Sequence, residues 1–377
     1  MSSIYIHIPF CLKKCCYCDF YSETDIFRVP AYVNALKKEI RLRSDDAFSI
    51  DTLYFGGGTP SLLTITHLRE ILNLISKCFF LSSAAEITVE VNPGTVNQEY
   101  LSALYQSGVN RLSIGVQSFQ MSKLTFLERV HTNKESVQTI EDAKVAGFDN
   151  FSMDLIYGIP KESIKEWELD LKKAVSFHPS HVSCYMLTRE KNTSLDSRIR
   201  AGMVVPKSMK ALSFMFEQTS QFLKSKGYDQ YEISNFSKGY ENRSAHNSKY
   251  WNLTPYFGFG PSAHSFIKDV RSWNVSDLSS YIKIINSSEQ PVADTEVLTE
   301  NQKMIEMIML KIRTSEGVKL QDFENRFNSR FTEKFQPLVD TVVNGDLACI
   351  NAERFTLTHQ GRMKLNHIVE AFADQII

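Results

Sequence analysis

Three cysteines in the run HIPFCLKKCCYCDF, Cys11, Cys15 and Cys18, stand at C-x3-C-x2-C spacing. In a helix or a tight loop, offsets of zero, four and seven bring three thiols to one face. Three soft thiolates meeting at one point suit an iron–sulfur cluster, and a four-iron cluster with three protein ligands keeps one iron open to a substrate or cofactor. Cys16, next to Cys15, points away from that face on helical geometry and reads as a bystander. A structural zinc site asks for four ligands, as a rule in two separated pairs, so it would need His7 or a distant histidine. Disulfides fit less well. The chain has an odd seven cysteines, and Cys78, Cys184 and Cys349 lie scattered through apolar segments as small core residues.

The chain has 377 residues, 43% of them hydrophobic, enough to bury a large core and to form two domains. A net charge of −1 gives no general positive field for nucleic acid or an anionic membrane. No apolar run reaches the length of a membrane span, and the first residues read as a strand rather than a targeting segment. The expected setting is a reducing cytoplasm.

Through the first two-thirds, short β-like runs alternate with amphipathic helical stretches, the rhythm of parallel βα units. Strands are expected at Ile4–Ile8, Thr52–Phe55, Glu86–Asn92, Arg111–Gln117, Asn150–Ile156 and His181–Leu187, with a weaker one at Gln230–Ser234. Helices are expected between them, for example Ala31–Arg43, His67–Cys78 and Lys134–Ala146. The fold class is α/β: repeated units of this number close into a partial or full (β/α) barrel, or less readily an open sheet. Within the strands Ile4, Ile6 and Ile8 oppose Tyr5 and His7, and Ile87, Val89 and Val91 oppose Thr88, Glu90 and Asn92. Leu112, Ile114 and Val116 likewise oppose Ser113, Gly115 and Gln117, and Met153 and Leu155 oppose Ser152 and Asp154. Strands buried on both faces would read as continuous apolar runs. The pattern therefore implies a polar lumen that holds a polar ligand near the C-terminal strand ends.

Residues 1–285 are expected to form this barrel domain, 286–299 (NSSEQPVADTEVLT) a linker, and 300–377 a small C-terminal domain. In the last, helical patterns at Asn301–Ile312 and Asp322–Asn344 precede short alternating runs at Leu347–Ile350 and Phe355–Leu357, then a final helix from about Gln360. That order suggests a winged-helix-like module, and without a basic recognition face its expected role is packing or a lid rather than nucleic-acid binding.

The ordered motifs HIPFC-x3-C-x-YC-D-F, YFGGGTPS, VEVNPG, GVQSF, ERVHT, MDLIYGIP and HNSKYW resemble the radical S-adenosylmethionine (SAM) proteins of the oxygen-independent coproporphyrinogen oxidase group, from about Ser3 to about Phe266. The resemblance implies a [4Fe-4S] cluster on Cys11, Cys15 and Cys18, with SAM chelated to the open iron beside Tyr5, Gly57 and Glu90. It assigns Tyr17, Gly58, Thr59, Gln117, Arg129 and Asp154 to a second SAM. The residues have readings of their own. Gly56–Gly57–Gly58–Thr59 permits close approach of a ligand or makes a tight turn. Glu90 suits an ammonium or ribose. Gln117, Arg129 and Asp154 offer neutral, cationic and anionic partners, or else a sheet-edge hydrogen bond and an Arg129–Asp154 salt bridge.

Two departures separate the chain from the oxidases of that group. Phe20 stands where they carry an additional cysteine, and only ten residues precede Cys11 where they have a substantial extension. Both point to a sister branch of heme chaperones, as does the HNxxYW pattern at His246, Tyr250 and Trp251. There His246 is a candidate axial ligand for heme iron, with Tyr250 and Trp251 against the porphyrin, or the three are simply structural. His264 is a second, structural candidate. The resemblance thus implies delivery of heme as cargo to hemoproteins, including membrane respiratory enzymes, an electron donor for the cluster, and a monomer or weak dimer. The alternative is an oxidase that decarboxylates porphyrinogen propionates by radical chemistry.

Overall fold

The computed structural model describes residues 1–44 and 48–376. Six strands run parallel and in sequence order: β1 (Ser2–Ile8), β2 (Ser49–Gly57), β3 (Phe80–Val91), β4 (Arg111–Gln117), β5 (Phe151–Tyr157) and β6 (His181–Met186). The crossovers carry α1 (Val29–Leu42), α2 (Ile65–Cys78), α3 (Gln98–Gln106), α4 (Met121–Phe126), α5 (Asn133–Val145) and α6 (Ile164–Ser176). After β6 come α7 (Ser194–Arg200), α8 (Met209–Ser225), β7 (Asp229–Gln230), β8 (Asn235–Ser237) and α9 (Ala245–Trp251). Then follow β9 (Tyr256–Phe259), β10 (His264–Ile267), β11 (Val270–Asn274), α10 (Leu278–Asn286), β12 (Val292–Val297) and α11 (Glu300–Ile312).

The twelve strands form one sheet in the order β12-β11-β10-β9-β1-β2-β3-β4-β5-β6-β8-β7. Its ends, β12 and β7, do not pair, so the barrel is partial and the fully closed alternative does not hold. The expected weak strand at Gln230–Ser234 is also corrected: of it only Gln230 lies in a strand, at the end of β7, and the chain turns through 231–234 into the antiparallel β8. Likewise the expected linker at 286–299 contains β12, an antiparallel edge strand on β11. Its side chains are mostly exposed, which is why it reads as linker composition.

The two-faced strands behave as their alternation requires. Ile4, Ile6, Ile8, Val89, Leu112, Ile114, Met153 and Leu155 are fully buried in one core beneath the helices. A slip of one residue in any of these strands would exchange that face for the polar one, so the pattern fixes register. Helix starts are set by local chemistry: Thr132 with Glu135 and Ser163 with Glu166 form reciprocal capping boxes at α5 and α6.

One carboxylate inside the core ties the outer strands to the barrel. Glu39, fully buried on α1, accepts from Arg43 at 2.7 Å, Asn274 Nδ2 at 2.7 Å, Tyr281 O–H at 2.7 Å and Gly260 N at 2.8 Å. It thereby joins α1 to β11, α10 and the turn after β9.

The C-terminal part has its own core, in which Phe323, Phe331, Phe335, Phe355 and Phe372 pack ring against ring. A three-stranded sheet of β13 (Val318–Lys319), β14 (Ala348–Ile350) and β15 (Arg354–Leu357) lies beside its helices. It meets the barrel through Arg313, which reaches buried Glu232 at 3.2 Å and lies over the Trp251 ring at 4.1 Å. Among the described residues no helix is long and apolar enough to cross a membrane.

Replacing Glu39 by alanine strands a buried guanidinium and three other donors. The expected loss is ~3–5 kcal/mol, read as a lower urea midpoint. A change below about 1 kcal/mol would show that α1 does not anchor these elements.

Candidate functional site

The thiol-bearing segment is a loop rather than a helix, closed at its base by Cys11 N to Glu23 O at 2.9 Å and Glu23 N to Pro9 O at 2.7 Å. Inside it Cys18 N bonds Cys15 O at 3.2 Å, turning the chain back on itself. Cys11, Cys15 and Cys18 are free and half-buried, and they line one cavity together with Tyr17, Gly57, Gly58, Thr59 and Arg129. Cys16 is buried on the other side, donating to Phe126 O at 3.3 Å.

The end of β2 packs directly beneath this loop. Gly57 has φ +106°, and a Cβ there would lie 2.6 Å from the His7 ring. A Cβ on Gly58 would lie 2.6 Å from Phe10 O, a backbone atom that cannot swing aside. The glycines therefore serve the approach of loop to sheet as well as lining the cavity.

Donors face the sulfurs. Thr59 O–H lies 3.6 Å from Cys11 Sγ and Arg129 Nη1 3.4 Å from Cys15 Sγ. Arg129 also donates to Gly115 O at 3.1 Å and to Asn92 Oδ1, while Asn92 Nδ2 donates to Thr59 Oγ1 at 2.8 Å. Asn92 thus holds both donors in place. It was not among the expected site residues, although it stands in VEVNPG on the polar face of its strand. This set fits a thiolate-bound cluster, whose sulfurs and net charge take hydrogen bonds and a nearby cation. A single tetrahedral ion would want a fourth thiol or imidazole, and among the described residues lining this cavity there is none.

Below the cavity the lumen is polar. Tyr54 donates to Glu90 at 2.8 Å and stacks on Tyr5 at 6.2 Å, and burial pushes the Glu90 carboxyl up to about 8. Asp154 accepts from Ser113 at 2.7 Å and Ser152 at 3.2 Å, with its carboxyl also raised by burial. It therefore lies in the lumen's serine layer, and the Arg129–Asp154 salt bridge weighed from sequence is not formed. Gln117, at φ +63°, lays its amide nitrogen over Gly115, 3.1 Å from where a Cβ there would stand.

His246 belongs to the lumen floor. It is 1% exposed, with Nδ1 3.0 Å from Thr52 Oγ1 and Nε2 3.0 Å from Tyr250 O–H, and it stacks on Tyr54 at 4.9 Å. Its own N–H, and that of Ala245, are held by Glu86 at 2.9 and 3.1 Å. Axial ligation of heme iron by this ring, as the motif suggests, would require Tyr250 to move off Nε2. Tyr250 packs edge-on to Tyr256 and Trp251 beneath Arg313, so both serve internal contacts. His264 is exposed on β10, stacked on Trp273 at 5.8 Å.

Burial holds the His246 imidazole down to about 3 and that of His7 to about 4. Unfolded histidines titrate near ~6.5, so below that pH the unfolded chain binds the extra protons and stability falls. Each such ring removes up to ~1.4 kcal/mol per pH unit. Urea midpoints should drop between about pH 7 and pH 5, and His246→Gln should flatten that slope while lowering stability at neutrality. An unchanged slope in the variant would show the ring is open to protons in the native state.

The chain matches the Radical SAM superfamily over residues 5–174 and the HemN C-terminal domain over residues 298–363. It is 33% identical to the heme chaperone HemW of Bacillus subtilis (strain 168), covering 100% of both chains. It is 34% identical to the heme chaperone HemW of Escherichia coli (strain K12), covering 98% of this chain and 97% of that one. In three dimensions it resembles the coproporphyrinogen III oxidase HemN of Escherichia coli, with a TM-score of 0.86 over 98% of this chain and 89% of that one at 22% identity.

Proposed function

The chain belongs to the HemW group of radical SAM proteins, and from that membership we propose that it binds heme and passes it to hemoprotein acceptors, respiratory enzymes among them. The observation that carries this reading is the likeness to heme chaperones along the entire chain, 33% identity with full coverage on both sides. Likeness to the oxidase is one of fold, at 22% identity. Phe20, 64% exposed beside the thiol loop, puts an aromatic ring where the resemblance gives oxidases a cysteine. The proposed setting is a reducing cytoplasm, in keeping with the free thiols.

In this reading Cys11, Cys15 and Cys18 hold a four-iron cluster, and Tyr5, Gly57 and Glu90 hold the SAM that completes it. Tyr17, Gly58, Thr59, Gln117, Arg129 and Asp154 form the second SAM subsite. Bound there, cluster and SAM supply one-electron chemistry at a sulfonium. The residues of the chain position and insulate. Thr59 and Arg129 stabilise charge on the sulfurs, and Asn92 orients both. Glu90, neutral below about pH 8 in the free lumen, gives up its proton when an ammonium arrives beside it. With the His246 ring committed to Thr52 and Tyr250, heme is taken up without it.

Cys11→Ser, Cys15→Ser and Cys18→Ser should each abolish incorporation of iron and acid-labile sulfide after anaerobic reconstitution, while Cys16→Ser retains it at lower stability. Loss in the Cys16 variant equal to the others would make that thiol a ligand. Incubated anaerobically with coproporphyrinogen, SAM and reductant, the chain should form no protoporphyrinogen, yet titration with heme should give a saturable Soret band that persists in His246→Ala. Protoporphyrinogen formation would move the chain to the oxidase reading. A Soret band lost from a folded His246 variant would return that ring to the heme site.

A further inference from the structure

β4 ends in a strained bend. Ser118 N bonds Val116 O at 2.7 Å, which closes a three-residue turn on Gln117 at φ +63°. A γ-turn with a positive φ at its centre is the rare, strained form, and no glycine relieves it here. The strand also carries one extra residue at this point. Ile114 pairs with Met153 and Gln117 with Leu155, where an unbroken register would set Val116 opposite Leu155. Asn92 Oδ1, Gln117 Nε2 and Arg129 Nη2 all stand within 3.4 Å of the point where a Cβ on Gly115 would lie. Asn92 and Arg129 line the thiol cavity, so the bent residue holds its amide at the cavity wall.

Strain of this kind persists only where its surroundings fix it. The fixing groups come from the helical layer rather than the lumen. Asp170 of α6, fully buried, takes Ser118 O–H at 2.7 Å on one oxygen and Phe119 N at 2.9 Å on the other. The buried Lys123 of α4 donates to Asp170 at 2.9 Å and also to Glu162. Glu162 in turn accepts from Gly158 N at 2.7 Å and Ile159 N at 3.1 Å, at the exit of β5. One ammonium thus joins two carboxylates, each of which holds the backbone just past the C-terminal end of a strand. Val116 O is held as well, by His131 Nε2 at 3.1 Å. Lys123, Glu162 and Asp170 do not line the thiol cavity. Burying three charges is costly, and an apolar filling would serve packing alone as well or better.

We infer that Asp170, held by Lys123 and Glu162, is a positioning residue that fixes the bent Gln117 so that its amide is ready for the second SAM. The inference rests on the second-subsite reading above. Without the carboxylate Gln117 relaxes toward an extended strand end, the competent arrangement becomes a minor one, and apparent affinity falls by that fraction. Tyr5, Gly57 and Glu90 lie on β1, β2 and β3, so SAM at the open iron does not depend on this device.

The test uses the full chain, reconstituted anaerobically. SAM binding is followed by equilibrium dialysis, and backbone opening by hydrogen exchange of the segment 116–120 in the SAM-free protein. Asp170→Asn keeps the side-chain volume but leaves one acceptor oxygen for three donors. It should speed exchange across 116–120 and weaken the second SAM about tenfold, or ~1.4 kcal/mol, with the first held as in wild type. Ser118→Ala, which removes one hydroxyl and leaves the ion cluster paired, should weaken it about threefold in the same sense. In a Gln117→Ala background Asp170→Asn should have no further effect on SAM, because its influence runs through that amide. A further loss equal to that in wild type overturns the inference. So does a lowered urea midpoint with both SAM affinities intact, which would make the cluster a plain tie between helices and sheet. Should Asp170→Asn fail to fold, Ser118→Ala decides: wild-type second-SAM affinity with unchanged exchange overturns the inference equally. A wild-type chain that binds a single SAM defeats the second-subsite reading, and hydrogen exchange in the variants then decides the clamp alone.

Discussion

A parallel strand with only one apolar face must satisfy its other face from within. The six central strands turn tyrosines, serines, a glutamate, an aspartate and histidines inward, where each unpartnered group would cost ~1–3 kcal/mol. The sheet meets this with cross-strand pairs that run in layers: Tyr54 to Glu90, Ser113 to Asp154, and Ser152 to His181 at 2.8 Å, with Ser152 also reaching Asp154 along its own strand. His181 continues to Tyr231 at 2.8 Å, and Thr52 to His246 and Tyr250 closes the floor. Neighbouring strands are tied through their side chains as well as through their backbones, and the lumen stays polar without being a channel.

The layers differ in what they leave unfinished. At the floor both nitrogens of His246 and both of His181 have partners, so that layer is a seal. Midway, two carboxyls shifted upward by burial have hydroxyl donors and, among the described residues, no salt-bridged cation, with Arg111 acting on Asp154 only from a distance, an arrangement that favours a hydrogen-bonding or cationic guest. At the top three thiols face a guanidinium and a hydroxyl. Reactive potential therefore rises along the strand direction, in line with the rule that barrel sites gather at C-terminal strand ends.

Much of this order was legible in the sequence because period-two alternation is a local signal. Ile4–Ile8 and Arg111–Gln117 announce both element and facing within a few residues. The cysteine trio was legible from spacing, although it sits on a loop closed by Glu23 rather than on a helix. What escaped depends on distant partners. Asn92 looks like any polar strand residue until Arg129 and Thr59 reach it from separate segments. Glu39 reads as a surface charge on an amphipathic helix, yet β11 and α10 fold over it. The 286–299 segment has linker composition because an edge strand can stay polar and still pair. His246 shows the converse, a motif that suggests chemistry at a ring whose hydrogen bonds in this arrangement are all internal.

The neighbour of the second thiol shows how such a loop is kept in shape. The outer flank of a loop holding reactive sulfurs needs packing of its own, or the thiols would sample many arrangements at an entropic cost of ~1–2 kcal/mol for each residue left free. Cys16 supplies that flank: its thiol seals against Phe126 O, its carbonyl takes Leu195 N–H, and its side chain is covered by Leu195 and Val204. Alternate residues of the loop thus have opposite duties. Cys15 faces the cavity while Cys16 faces α7, so strain or order imposed on the turn after α7 reaches the thiol loop through one peptide unit. A small side chain with a weak S–H donor suits the position, since a larger one would push Cys15 off the common face shared with Arg129.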